Sequence, residues 1–106
     1  MPSFQVALAY EEVIPVLHIS GEITSESEED LLAAYDAIPS EKRQRVILHF
    51  GNTRYINSSG IAILIGVINR ATESQGKVDF AGLSPHFRKV MDIVGLTDNL
   101  PDALQG

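Results

Sequence analysis

Val46-Ile47-Leu48-His49-Phe50 is a near-continuous apolar run of strand length. A strand that is apolar on both faces is covered on both, which usually means a parallel neighbour. Gly51-Asn52-Thr53 reads as a break after it, and Tyr55-Ile56 as a short apolar bridge. From Ser58 the pattern turns helical, with Ile61, Leu64, Ile65 and Ile68 on one side and Gly76 placed as the C-terminal cap.

The flanking segments complete the pattern. Residues 4–8 alternate apolar and polar at period two, as a half-buried strand does. Glu11-Glu12 marks a turn into a second run over residues 13–19, which Gly21 closes. Pro15 has no N–H for a ladder, so it belongs near that strand's start or on an unpaired side. Ser25 with Glu28 has the capping-box spacing, Leu31, Leu32, Tyr35 and Ile38 follow at helical spacing, and Pro39 stops the helix. Beyond Gly76, residues 78–81 form a fourth strand. Ser84 as N-cap and Pro85 at the first helical position open a last helix carrying Phe87, Val90, Met91 and Val94, and Gly95 ends it. The order is β-β-α-β-α-β-α. A hairpin followed by two right-handed crossovers predicts an α/β fold, a four-stranded mixed sheet with helices packed on it.

The 106 residues suit one domain, 1–106, and a 44% apolar fraction suffices for one core. Fourteen acidic against eight basic side chains give a net charge of -6. That balance disfavours nucleic acid, whose phosphates require a basic face, and anionic membrane surfaces. No apolar run approaches the roughly 20 residues that cross a bilayer, and the N-terminus lacks a signal-peptide pattern. The absence of cysteine excludes disulfides, thiol nucleophiles and zinc–thiolate sites. A small, acidic, intracellular protein is expected.

Local chemistry concentrates in Asn57-Ser58-Ser59-Gly60, between a buried strand and an apolar helix. Asn and Ser are favoured N-caps because their side-chain oxygens accept from otherwise unpaired amides. Gly in a first turn costs up to about 1 kcal/mol against Ala unless close packing requires it. Two readings follow: capping alone, or a serine hydroxyl displayed where an added phosphate is sensed by a partner. His18, His49 and His86 lack paired metal-ligand spacing. His18 and His49 fall on neighbouring strands where they can approach, and sheet packing is the expectation over a metal site. The cluster Glu26, Glu28, Glu29, Asp30 reads as a solvated first turn that complements the helix dipole, or as a surface for a partner's basic patch. Ile61, Leu64 and Ile65 are expected in the core, with Ile63 and Val67 partly off that face. Arg54, Arg70, Arg88 and Lys89 are too scattered to assign. An enzyme is not expected. Neither a G-x-S-x-G elbow nor a phosphate-binding P-loop is present, and no cofactor or metal is implied.

Five segments together resemble the STAS domain, and within it the bacterial anti-sigma factor antagonists. They are Val16-Leu17-His18-Ile19-Ser20-Gly21-Glu22-Ile23, Arg45-Val46-Ile47-Leu48-His49-Phe50, Tyr55-Ile56-Asn57-Ser58-Ser59-Gly60-Ile61-Ala62-Ile63-Leu64, Gly76-Lys77-Val78-Asp79-Phe80-Ala81-Gly82-Leu83-Ser84 and Met91-Asp92-Ile93-Val94-Gly95-Leu96. Singly these motifs are weak; their order and spacing are specific, and they reach to about Asn99.

The resemblance implies a cytoplasmic regulatory protein, a monomer or weak dimer, that binds a serine kinase of the anti-sigma type. Phosphorylation of a serine at the start of the second long helix switches binding off, and a phosphatase reverses it. By position the phosphoacceptor is Ser58, with Ser59 as the fallback and Asn57, Ser59 and Gly60 as cap and partner contacts. Where many relatives carry Asp, this chain has Asn57 before the serines and His49 near the end of the third strand. Asn57 caps equally well but removes a negative charge beside the hydroxyl, so the alternative is a constitutive interaction module without phosphorylation. Residues 101–106 form a shorter final segment than in many relatives.

Overall fold

The computed structural model describes residues 4–96. Strands β1 (Gln5–Glu11) and β2 (Ile14–Ile23), helix α1 (Glu28–Asp36), strand β3 (Arg45–Ile56), helix α2 (Ser58–Glu73), strand β4 (Lys77–Ala81) and helix α3 (Pro85–Ile93) follow in turn. Short 3-10 turns occupy Ser25–Ser27 and Ser40–Lys42. Among the described residues the sheet has four strands in the order β1-β2-β3-β4. β1 is antiparallel to β2, and β2, β3 and β4 are parallel. The α/β architecture is therefore the one the hydrophobic pattern predicts, and the final segment, residues 101–106, lies outside the described residues.

Both parallel crossovers step the same way across the sheet, which with a common hand places their helices on one face. Alternate residues of the strands supply that face: Leu17 and Ile19, then Val46, Leu48 and Phe50, then Val78 and Phe80. They form one buried cluster with Leu31 and Tyr35 of α1, Leu64 and Val67 of α2, and Phe87 and Met91 of α3. Phe50 lies edge-on to Phe80 at 5.4 Å and 6.1 Å from Phe87, which joins α3 to the sheet. Each such side chain contributes about 1.5–3 kcal/mol by leaving water.

Several local expectations are corrected. Gly51-Asn52-Thr53 does not break β3, and Tyr55-Ile56 is its final part. The ladder with β2 slips twice, between the His18 and Ser20 pairings and between those of Gly21 and Glu22. Each slip places one extra residue in β3, as a β-bulge does, so the breaking residues mark bulges inside one strand. Gly21, at φ +88°, likewise sits within β2 and not at its end. The reciprocal cap before α1 is made by Thr24 and Ser27, not by Ser25 and Glu28. Thr24 N donates to Ser27 Oγ at 3.0 Å and Glu26 N to Thr24 Oγ1 at 3.3 Å.

In α2 the buried face is Gly60, Ile63, Leu64, Val67 and Ala71. Ile61 and Ile68 are half-buried and Ile65 is exposed. Residues 61–68 hold only one polar-like interruption, Gly66, so periodicity there fixes no single phase. At the end of α2 the left-handed residue is Gln75 (φ 62°), while Gly76 is needed for close approach. A Cβ on Gly76 would overlap the Arg43 carbonyl.

Arg43 closes the end of α1, donating from Nε to Ile38 O at 2.7 Å and from Nη2 to Asp36 O at 2.8 Å. Its guanidinium lies 5.6 Å from the Tyr35 ring centroid. The Tyr35 hydroxyl is buried without a hydrogen-bond partner, and burial raises its pKa above 10.0, with Arg43 opposing. A raised folded-state pKa favours the native state fully below pH 10, and the advantage is lost as pH rises through the folded value. Tyr35→Phe is therefore expected to be neutral or stabilising at pH 7, and to flatten the alkaline loss of stability in chemical unfolding followed by circular dichroism. Gly76→Ala is expected to destabilise by about 1–3 kcal/mol, read as a lower urea midpoint at unchanged slope.

Candidate functional site: the start of α2

β3 delivers the chain to α2 through one extended residue, Asn57 (φ -105°, ψ -178°). Asn57 Oδ1 accepts from Gly60 N at 2.9 Å, and its backbone carbonyl accepts from Ile61 N at 3.0 Å. Its own N–H donates to the Ile23 carbonyl at 3.2 Å, tying the helix start to the last residue of β2. Gly60 packs on that same carbonyl. A Cβ there would overlap Ile23 O and come 2.7 Å from Ile56 Cγ1, so close packing requires the glycine. The two contacts fix both the height and the rotation of the first turn.

On this frame Ser58 and Ser59 occupy the first two helical positions, both exposed. Among the described residues neither hydroxyl has a hydrogen-bond partner. Ser59 lines a shallow groove with Ser25, Glu28, Ala62 and Ile63, between the approach to α1 and the first turns of α2. Ser58 does not line that groove, and Glu26, Glu28, Glu29 and Asp30 beside it are all exposed. The first turn of α2 carries no acidic side chain, leaving its positive end uncompensated by its own residues. The exposed side of α2 continues from the serines through Ala62, Ile65, Gly66 and Asn69.

The histidines lie elsewhere, His18 and His49 on the sheet and His86 in α3. His18 and His49 are directly opposed in the β2–β3 register, with ring centroids 5.2 Å apart and planes tilted by 39°. His49 Nδ1 accepts from Gly51 N at 3.1 Å, so the neutral ring carries its proton on Nε2. No group of three or more His, Cys, Asp or Glu side chains able to hold a metal occurs among the described residues. In the middle of β4, buried Asp79 receives Arg45 Nε at 2.7 Å and has Lys77 Nζ 3.5 Å away. Arg70 pairs with Asp36 at 2.6 Å, so of the scattered cations Arg70 tethers α2 to α1. No described helix is long and apolar enough to cross a membrane.

Sequence reasoning missed the Ile23 carbonyl as the anchor of the site, since a backbone acceptor has no residue signature. The one available signal was Gly60 itself, a helix-weakening residue inside a first turn.

The family model described as Mlab, STAS domain, matches residues 6–105, and the chain belongs to the STAS domain family. It is 31% identical over 85 residues to BtrV of Bordetella bronchiseptica, a protein named as an anti-sigma factor antagonist, covering 80% of this chain and 73% of that one. Among solved structures it is similar to the phosphorylated form of the Bacillus cell fate determinant SpoIIAA, at 23% identity and TM-score 0.69, covering 93% and 89% of the two chains. A sulfate transporter family protein from Wolinella succinogenes also matches, at 16% identity and TM-score 0.73, covering 89% and 76%. At these identities the structural likenesses concern the fold.

Asn57→Ala is expected to cost about 1 kcal/mol of stability in urea unfolding, and Asn57→Asp to retain the cap. Gly60→Ala is expected to cost more than Asn57→Ala, because it displaces backbone and not a single hydrogen bond.

Proposed function

We propose that this STAS domain is a cytoplasmic anti-sigma factor antagonist-like regulator that binds a serine kinase of the anti-sigma type. Phosphorylation of Ser58 switches the complex off and a phosphatase restores it. The observation that carries this reading is a pair of exposed, unpartnered hydroxyls standing on a helix start that is fixed from below. A kinase can reach them without unfolding the domain.

The phosphate adds about -1.5 to -2 charges at neutral pH. Within the domain it sits at a positive helix end and is tolerated. At a face that docks closely on a partner, a desolvated dianion without a matching cation costs several kcal/mol, hence two or more decades of affinity. Ser58 is favoured over Ser59 because Ser59 shares its groove with the Glu28 carboxylate, which would repel a phosphate. A hydrolytic role for either serine would need a general base in hydrogen-bond reach, and the hydroxyls have no such partner among the described residues.

The second reading, a constitutive interaction module, is favoured by one residue: Asn57 leaves the serine pair without an adjacent charge. Incubation with the cognate kinase and ATP separates the two. A gain of about 80 Da mapped to Ser58 supports the switch, and an unchanged intact mass supports the module. Calorimetry should find Ser58→Ala binding the kinase like the wild type and Ser58→Asp binding markedly less; equal affinities would sink the electrostatic account.

A further inference from the structure

Of the sheet's two edges among the described residues, one is blunted and the other is not. β4 is five residues long and opens with Lys77. Short length and an edge lysine are common means by which a sheet avoids pairing with another chain. β1 has seven residues, holds neither lysine nor proline, and pairs with β2 without a bulge from Gln5↔Ser20 to Glu11↔Ile14. Its outer row of N–H and C=O groups meets no strand among the described residues. Leu8 remains 37% exposed along it and Tyr10 41%, with Lys42 Nζ lying 5.0 Å from the Tyr10 ring centroid.

The residue order of β1 indicates what fits this edge. Antiparallel pairing of two β1 strands about Leu8 sets Leu8 against the second copy's Leu8 and Ala7 against its Ala9. The same register sets Val6 against Tyr10 and Gln5 against Glu11. Even-numbered residues face the helices in both copies and odd-numbered residues face the other way, so every facing pair shares a face. Val6–Tyr10 joins a β-branched to an aromatic side chain, and no like charges stand opposite each other. A one-residue slip would set helix-side residues of one copy against open-side residues of the other.

We infer that β1 is a homodimerisation edge, two copies joining antiparallel about Leu8 into one continuous sheet. Ser58 follows β3, two strands in from this edge, so the inference is independent of the serine's role.

The chain has no cysteine, so Leu8→Cys introduces a unique thiol. Facing Cα atoms about 4.5–5.5 Å apart fall within disulfide range. Under mild oxidation Leu8→Cys should become a covalent dimer. Val13→Cys should not, since Val13 is 78% exposed but lies in the hairpin turn beyond Glu11, which puts it more than about 20 Å from its mate. In sedimentation the wild type should show a monomer–dimer equilibrium that tightens with salt, as the -6 charges on each copy are screened. Leu8→Lys should weaken it roughly tenfold by opposing two cations, and Ala9→Lys, on the open side away from the core, by placing on the edge the lysine that discourages strand pairing. A wild type that sediments only as monomer would overturn the inference. So would equal cross-linking at positions 8 and 13, or an association that folded Leu8→Lys and Ala9→Lys proteins leave intact.

Discussion

The carbonyl of Ile23 holds the site together. It terminates β2, accepts the Asn57 N–H and fills the space that a side chain on residue 60 would need. A helix held only by its cap can tilt or fray at its first turn. Here the turn is pinned from beneath by one sheet carbonyl and from within by the Asn57 side chain. The core underneath supplies the stiffness. Ile23 is fully buried, and Ile63 and Leu64 of the next turn belong to the same cluster as Leu17, Leu48 and Phe80. The serines are therefore carried over a buried, hydrogen-bonded part of the fold while their side chains stay exposed.

Under the proposed function, that arrangement serves as a surface read by another protein. A catalytic serine is normally embedded, with a base oriented on it. Here the buried polar groups are occupied in structure: Ser27 bonded to Thr24 and Glu22, Tyr35 beneath Arg43, and Asp79 against Arg45. Tyr35 and Asp79 lie away from the serine pair, on α1 and in the middle of β4. The chain belongs to the STAS family and is similar to a protein named as an anti-sigma factor antagonist.

Element order and type were legible because the strand at residues 46–50 and the three amphipathic helices each repeat their signal over several residues. Asn57, Ser84 and Pro85 could be placed at helix starts because capping is local chemistry; Phe87 N does donate to Ser84 Oγ at 3.1 Å. What escaped is tertiary in origin. Glycine at 51 weakens a strand in isolation, yet the pairing with β2 continues past it because a bulge accommodates the extra residue. Thr24 and Ser27 outcompete Ser25 and Glu28 because Ser27 is also drawn inward, its hydroxyl donating to Glu22 O at 3.2 Å. Ile63 and Val67 are buried while Ile65 is not because the rotation of α2 is set by Gly60 against Ile23, a contact 37 positions apart in sequence. The accessibility of Ser58 and Ser59 follows from the same rotation, which no local pattern encodes.

The paired slips in β3 have a geometric corollary. Side chains alternate sides along a strand, so one unmatched residue inverts every side chain after it. Two unmatched residues restore the original sense, and Ile56 returns to the same side as its neighbour Ile23. The bulges thus act as a matched pair of shims, lengthening the strand without turning its end over. Exposed side chains such as Asn52 and Arg54 can change without altering this parity, but an odd change of length there would bring Asn57 in upside down and aim the serine pair away from the rim that carries it.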